Sequence, residues 1–155
     1  MVFEASIASR ALGARGAHEV TMPAPVRHVL TILAVEDLPR AIDFYRRAFG
    51  WEQVVDVPVY AEFALPGGMG LGLYERHGFG RNTGQVPSRV APGEIAPAEI
   101  YFQTDELASA IARVVAAGAR ELSPLAVRDW GDEAAYFADP DGNVLVLARP
   151  VSAST

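Results

Sequence analysis

Between Val29 and Val35 the chain runs through a continuous apolar stretch, VLTILAV, rich in β-branched side chains. Such a run reads as a buried strand. Asp37 then stands where a helix N-cap belongs, with Pro39 in the first turn, where its missing N–H leaves nothing unsatisfied. Leu38, Ile42, Tyr45 and Phe49 recur at helical spacing, and Gly50 follows at the position that favours a left-handed end. Residues 51–57, 59–65 and 69–74 predict three strands, the last two parted by the hairpin-like break Pro66-Gly67-Gly68. Farther on, 100–104 predicts a strand and Asp105 a helix cap. Leu107, Ile111, Val114 and Val115 form a second helical stripe, closed by Gly118. Three more strands follow at 121–127, 134–138 and 143–149, and Asp139-Pro140-Asp141-Gly142 fits a type I turn.

The order strand–helix–three strands therefore occurs twice. One offset places Leu38 on Leu107, Ala41 on Ala110, Ile42 on Ile111 and Glu52 on Glu121, so matching stripes and strand starts coincide. We read an internal duplication. The fold class is α+β: two βαβββ modules, residues 27–74 and 99–150, forming curled mixed sheets around a cleft, where ligands bind. Between them, 75–98 is Gly- and Pro-rich and reads as an irregular linker. Phe79, flanked by Gly78 and Gly80, is placed to swing there as a lid; a plain connector is the alternative. Residues 1–26 lack periodicity and carry Glu4 and Glu19, unlike a targeting signal, so they read as a disordered N-terminal extension.

Composition removes much chemistry. The chain has no Cys, which excludes disulfides, thiolate metal sites and a cysteine nucleophile. All 13 basic residues are Arg, so there is no Schiff-base lysine and no phosphate-gripping P-loop lysine. A net charge of −6 argues against a nucleic-acid partner and weakly favours a cationic ligand. No apolar run approaches the ~20 residues that cross a bilayer, so no membrane partner is expected and the cytoplasm is the expected location.

The segment Leu30-Thr31-Ile32-Leu33-Ala34-Val35-Glu36-Asp37-Leu38, then Ala41-Ile42-Asp43-Phe44-Tyr45 and Gly50, resembles the opening of the vicinal oxygen chelate superfamily. That superfamily holds glyoxalase I, bleomycin resistance proteins and extradiol dioxygenases. Trp130-Gly131 and Tyr136-Phe137-Ala138-Asp139-Pro140-Asp141-Gly142-Asn143 resemble its final hairpin. The resemblance implies that four cleft-facing strand positions carry metal ligands in the enzymes; here they fall at Leu30, Gly72, Glu99 and Val146. One carboxylate does not hold a divalent ion, since stable sites take about three or more protein ligands. The expected cofactor is therefore none, and the expected branch is metal-free and bleomycin-resistance-like. A shifted metal set of His28 and Glu99 with Glu75 or His77, serving a glyoxalase or dioxygenase, is the weaker alternative; period two puts His28 on the same side as Leu30.

In the family register the cleft is lined by Leu30, Ile32, Ala34, Gly72, Tyr74, Glu99, Tyr101, Gln103, Val144, Val146 and Ala148, with Gly70 and Gly72 widening its floor. An apolar wall with phenols, one amide and one carboxylate suits a flat organic molecule. Core packing is the favoured role for Trp51, Tyr60, Phe63 and Tyr136, whereas Trp130 sits in a polar loop and is a candidate ligand or dimer contact. The first functional expectation is a homodimeric binding protein that sequesters a planar molecule, as in antibiotic resistance. The alternative is a metal-independent lyase or isomerase with Glu99 as general base and Tyr101 or Gln103 polarising an oxygen.

Overall fold

The computed structural model describes residues 22–151. Two sheets of identical topology carry the fold. In the first, β1 (Leu30–Val35), β2 (Glu52–Val57), β3 (Tyr60–Ala64) and β4 (Gly70–Glu75) take the order β1-β4-β3-β2. In the second, β5 (Glu99–Gln103), β6 (Arg120–Val127), β7 (Asp132–Ala138) and β8 (Val144–Pro150) take the order β5-β8-β7-β6. Each first strand pairs parallel to its module's last, and the other pairings are antiparallel. The duplicated pattern is thus a duplicated topology, α+β with mixed sheets.

Local chemistry accounts for the helix ends. In α1 (Leu38–Phe49) the Asp37 carboxylate accepts from the Arg40 N–H at 3.1 Å, satisfying a donor that the helix leaves free. Gly50 closes the helix at φ 66°, where a side chain would be strained. The second repeat ends differently. In α3 (Leu107–Ala116) the cap position is Glu106, without a side-chain bond, and the Thr104 hydroxyl accepts the Glu106 N–H at 3.1 Å. Asp105 is therefore not the cap: the helix starts one residue later than the spacing predicts, and the threonine supplies the acceptor.

The linker also departs from expectation. Residues Arg76–Thr83 form a helix, α2, whose first amides are held by the Glu75 carboxylate, with His77 and Gly78 N–H groups each at 3.0 Å. Bonding to the His77 amide is the main cause that holds the Glu75 carboxyl below its ordinary range. Glycine content made the segment look irregular, but here it permits close packing. A Cβ on Gly78 would lie 2.5 Å from the Tyr74 ring, and one on Gly80 2.7 Å from Val86. Phe79 meets Tyr74 edge-on, at 6.4 Å between centroids, on a packed helix.

One apolar core joins the modules. Leu33, Val35, Ala61, Phe63, Leu71 and Leu73 of the first sheet and Ile100, Phe102, Ala135, Phe137, Leu145 and Leu147 of the second all turn inward to it. The facing helices fill the space between them, and α1 against α3 is the main contact between modules. Trp51 stacks on Phe49 at 4.1 Å, and both meet Phe102 across the module boundary. Within this apolar joint lies Asp139, 5% exposed and the buried charged residue among those described. Its carboxylate accepts from Tyr45 Oη at 2.6 Å, from the Asp141 and Asn143 amides at 2.9 Å, and from Asn143 Nδ2 at 3.0 Å.

This bond generates a prediction. Burial, then the Asp139 charge, pushes the Tyr45 phenol well above its ordinary pKa. The unfolded chain releases that proton near pH ~10 while the folded chain keeps it, so Tyr45 contributes stability below that pH that is lost as pH rises. Tyr45→Phe is expected to lower unfolding free energy by about 1–3 kcal/mol near pH 7, since it strips a donor from a buried carboxylate. Urea titrations should show the gap between wild type and variant closing above pH ~10; a gap that widens there contradicts this assignment.

Candidate functional site

Strand alternation sorts each sheet into two faces. Residues not turned to the core lie on an outer face. In the first sheet the register brings Leu30 beside Gly70, Ile32 beside Gly72 and Ala34 beside Tyr74, with Tyr60 and Glu62 on the next strand. In the second it brings Glu99 beside Val144, Tyr101 beside Val146 and Gln103 beside Ala148, with Tyr136 opposite Val146. Each predicted set occupies the outer face of its own sheet. The two outer faces lie on the far sides of their sheets from the shared core. No hydrogen bond or aromatic contact among the described residues links them, so one chain does not close both sets around a common cleft.

On the first outer face the glycines do not widen the floor. A Cβ on Gly72 would stand 2.5 Å from the Tyr60 hydroxyl and 2.8 Å from its ring, and one on Gly70 3.0 Å from Leu30 Cδ1. Tyr60 thus fills the space over Gly72. Its hydroxyl donates to Glu62 Oε1 at 2.6 Å and its ring meets Tyr74 at 5.1 Å. Burial, then the Glu62 bond, raises the pKa of this phenol above its ordinary value. Core packing was the expectation for Tyr60 and Tyr136. Tyr60 lies on an outer face, on the strand parity opposite Phe63, whereas Tyr136, though also on the outer-face parity, packs against the small cluster of Ala134, Val144, Val146 and Ala148. Trp51 and Phe63 do pack in the core.

On the second outer face, Val146 is fully buried in a small cluster with Ala134, Val144 and Ala148, against which Leu122 and Tyr136 pack. The exposed surface is polar and aromatic. Trp130, 45% exposed, donates from Nε1 to the Tyr101 hydroxyl at 2.9 Å, and that hydroxyl donates to Asp132 Oδ2 at 2.5 Å. Burial and the Asp132 bond push the Tyr101 phenol up to about 12, so it remains a donor at neutral pH. The Arg128 guanidinium lies 5.0 Å over the Tyr136 ring and is held by Ser123 Oγ and the Pro124 and Ala134 carbonyls. Burial and the nearby Glu99 charge raise the Tyr136 pKa. Glu99 and Gln103 are exposed. Arg76 and Arg149, the partners one would first assign to Glu99, pair instead with Glu36 and Glu133.

Sequence reasoning missed Asp132, Arg128 and Tyr60 as parts of these faces. Parity was the available signal for two of them: Asp132 shares its side of the strand with Ala134 and Tyr136, and Tyr60 its side with Glu62.

The donor set does not fit a divalent cation. At the four implied positions, Leu30 and Val146 have no donor atom, Gly72 is covered by Tyr60, and only Glu99 carries oxygens. The shifted set fails as well. His28 Nε2 lies 3.0 Å from the Thr31 hydroxyl, Glu75 is spent capping α2, and His77 lies 3.5 Å from Arg76. Among the described residues no three His, Asp or Glu side chains converge as a metal site would need.

The principal cavity, about 940 Å³, is elsewhere. It opens between β1, α2, the linker residues 87–94 and the turn 139–143, and only Ile32 and Ala34 of the predicted lining reach it.

The family model for the Glyoxalase/Bleomycin resistance protein/Dioxygenase superfamily matches residues 26–147. A glyoxalase-related enzyme from Fulvimarina pelagi is similar in structure, with TM-score 0.69 and 24% identity, over 82% of this chain and 93% of that one. A glyoxalase/bleomycin resistance protein/dioxygenase from Nocardioides gives TM-score 0.71 and 23% identity, over 88% and 90%. A lactoylglutathione lyase from Agrobacterium tumefaciens gives TM-score 0.61 and 25% identity, over 81% and 95%. No curated protein matches the sequence.

The Tyr60–Gly72 contact predicts a coupled pair of mutants. Gly72→Ala is expected to destabilise by about 1–3 kcal/mol through overpacking. Adding Tyr60→Ala should recover part of that loss, giving a favourable coupling of about 1 kcal/mol in a double-mutant cycle. Additive effects in chemical denaturation would show that the ring does not occupy this space.

Proposed function

Because the chain belongs to the glyoxalase/bleomycin resistance protein/dioxygenase superfamily, we propose that it binds a planar organic molecule on its outer sheet faces without a divalent metal. The observation that carries this reading is the loss of donors at the implied ligand positions: a leucine, a valine buried among neighbours, and a glycine covered by Tyr60. In place of ligands the faces present flat π surfaces and acceptors, Tyr101, Trp130 and Tyr74 with Glu99 and Gln103. Stacking with a few hydrogen bonds is the recognition such a surface supports. Trp130 is pre-oriented by its bond to Tyr101, which lowers the entropy lost when a ligand stacks on it.

The reading includes a second copy of the chain. Ile32, Tyr101 and Trp130 are large apolar groups left at 37%, 38% and 45% exposure on faces that the chain does not cover itself. A homodimer that lays the first face of one copy against the second face of the other would enclose a cleft and bring Glu99 opposite Ile32 and Tyr74. The cytoplasm is part of the same reading; no helix among the described residues is long and apolar enough to cross a membrane.

One observation favours a second reading. Glu99 stands beside Tyr136 with no arginine engaged to it, and a carboxylate free of ion pairs is available as a base. A metal-independent isomerase or lyase would use Glu99 to remove a proton next to a carbonyl, with Gln103 donating to the oxygen. Glu99→Gln would then abolish turnover while leaving ligand affinity within a few-fold.

Metal analysis of protein purified without a chelating tag is expected to find less than ~0.2 equivalents of Ni, Zn, Fe or Mn. Sedimentation should report a dimer. Thermal-shift titrations with ethidium and bleomycin as planar probes are expected to show saturable stabilisation, weakened about tenfold by Trp130→Ala. Full metal occupancy, or no stabilisation by either probe, sinks the proposal.

A further inference from the structure

The cavity between the modules shares only Ile32 and Ala34 with the first outer face, and its charges are arranged differently. Four guanidiniums and four carboxylate residues line it. Most of them are spoken for. Arg40 lies 3.7 Å from Asp141, Asp139 is enclosed by Tyr45, Asn143 and backbone amides, and Arg120 donates to the Glu94 backbone carbonyl at 3.2 Å. Glu36 remains, and it serves two cations. Arg76 Nε donates to Oε2 at 2.8 Å, and Arg89 Nη1 approaches Oε1 at 3.4 Å. Two guanidiniums on one carboxylate leave one positive charge uncompensated at this wall.

The two arginines are held differently. Arg76 has a side chain 19% exposed, and its Nη1 also donates to the Pro87 carbonyl at 3.3 Å, so its plane is fixed. Arg89 is 66% exposed, with a single long contact to Glu36, and is free to reorient. A fixed guanidinium beside a mobile one suits an incoming oxyanion, which the mobile group can leave Glu36 to grip. Next to them the wall turns apolar, with Ile32, Phe79 and Val90. Its volume of about 940 Å³ lies in the range of small-molecule sites, roughly 300–1,000 Å³.

We propose that this inter-module cavity is a second ligand site, binding a small carboxylate with an apolar body, its carboxylate on Arg76 and Arg89 and its body against Ile32 and Phe79. The site does not depend on the outer-face reading, with which it shares Ile32 alone among the residues named for its ligand, and its preference for an anion is opposite to that of the acceptor-rich faces.

Amide chemical shifts of the ¹⁵N-labelled full chain test it, with phenylacetate as probe and phenylacetamide as its uncharged match. Phenylacetate is expected to move the amides of residues 32–36, 76–79 and 89–91 saturably, leaving those of Tyr101 and Trp130 in place, and phenylacetamide to bind at least about tenfold more weakly. Arg89→Ala should weaken phenylacetate about five- to tenfold, the loss of one charge-assisted hydrogen bond at a partly exposed site. Glu36→Gln, which removes the competing carboxylate, should tighten it; the variant spectra also report whether each variant folds. Equal binding of acid and amide, shifts confined to the outer-face residues, or weaker binding by Glu36→Gln would each overturn the assignment. Inorganic phosphate moving the same amides at lower concentration than phenylacetate would overturn the apolar half of the ligand.

Discussion

A single buried carboxylate organises this chain. Asp139 lies where the helix of one module meets the final turn of the other, and a carboxylate there loses several kcal/mol of hydration. Four donors replace the water, one of them Tyr45 from the first module and the rest from the turn that Asp139 itself begins. The two functions of the residue are inseparable. Holding the Asp141 and Asn143 amides sets the turn, the turn sets where β8 enters its sheet, and β8 carries the centre of the second outer face. Holding the Tyr45 hydroxyl fixes the helix pair against that turn. The sites are positioned through one satisfied polar group inside an apolar joint.

Much of this is legible in the linear pattern, because the elements are strongly periodic and their ends chemically marked. Every strand and both amphipathic helices were expected within a residue or two of where they occur, and the sheet order repeats as the duplicated stripe implies. The failures are physical. Helix α2 has little amphipathic pattern, since its glycines lie against Tyr74 and Val86, and close packing of that kind is a property of the partner surface. The cap of α3 fell one residue later than expected, and the Thr104 hydroxyl accepts the Glu106 amide just ahead of the helix.

Site residues were legible as a face and illegible as a surface. Alternation placed Leu30, Ile32, Gly72, Tyr74, Glu99, Tyr101, Gln103 and Val146 together on the outer sides of their strands, as the register has them. It did not tell which of them water reaches. Gly72 and Val146 lie beneath neighbouring side chains, whereas Trp130 stands above the second face on a bond to Tyr101. Depth within a face depends on the lengths of cross-strand neighbours, and these become neighbours only through the register. Tyr60 shows the point: it covers Gly72 from a strand that pairs Glu62 with that glycine.

The arrangement also explains why one scaffold presents opposite polar character in two places. Two modules packed back to back through their helices leave each sheet an outer face, and on the second face Arg128 is tied down. Arg128 is bonded to carbonyls and stacked on Tyr136. What that face offers a ligand is therefore π surface and acceptor oxygen. At the seam the linker must cross from β4 to β5, and it brings Arg76 and Arg89 onto the lone Glu36. Two guanidiniums thus share one carboxylate at the seam, while acceptors prevail on the second face. With no lysine in the chain, the positive charge at both places is carried by planar, permanently charged groups, of which Arg76 and Arg128 are held by several partners and Arg89 by one.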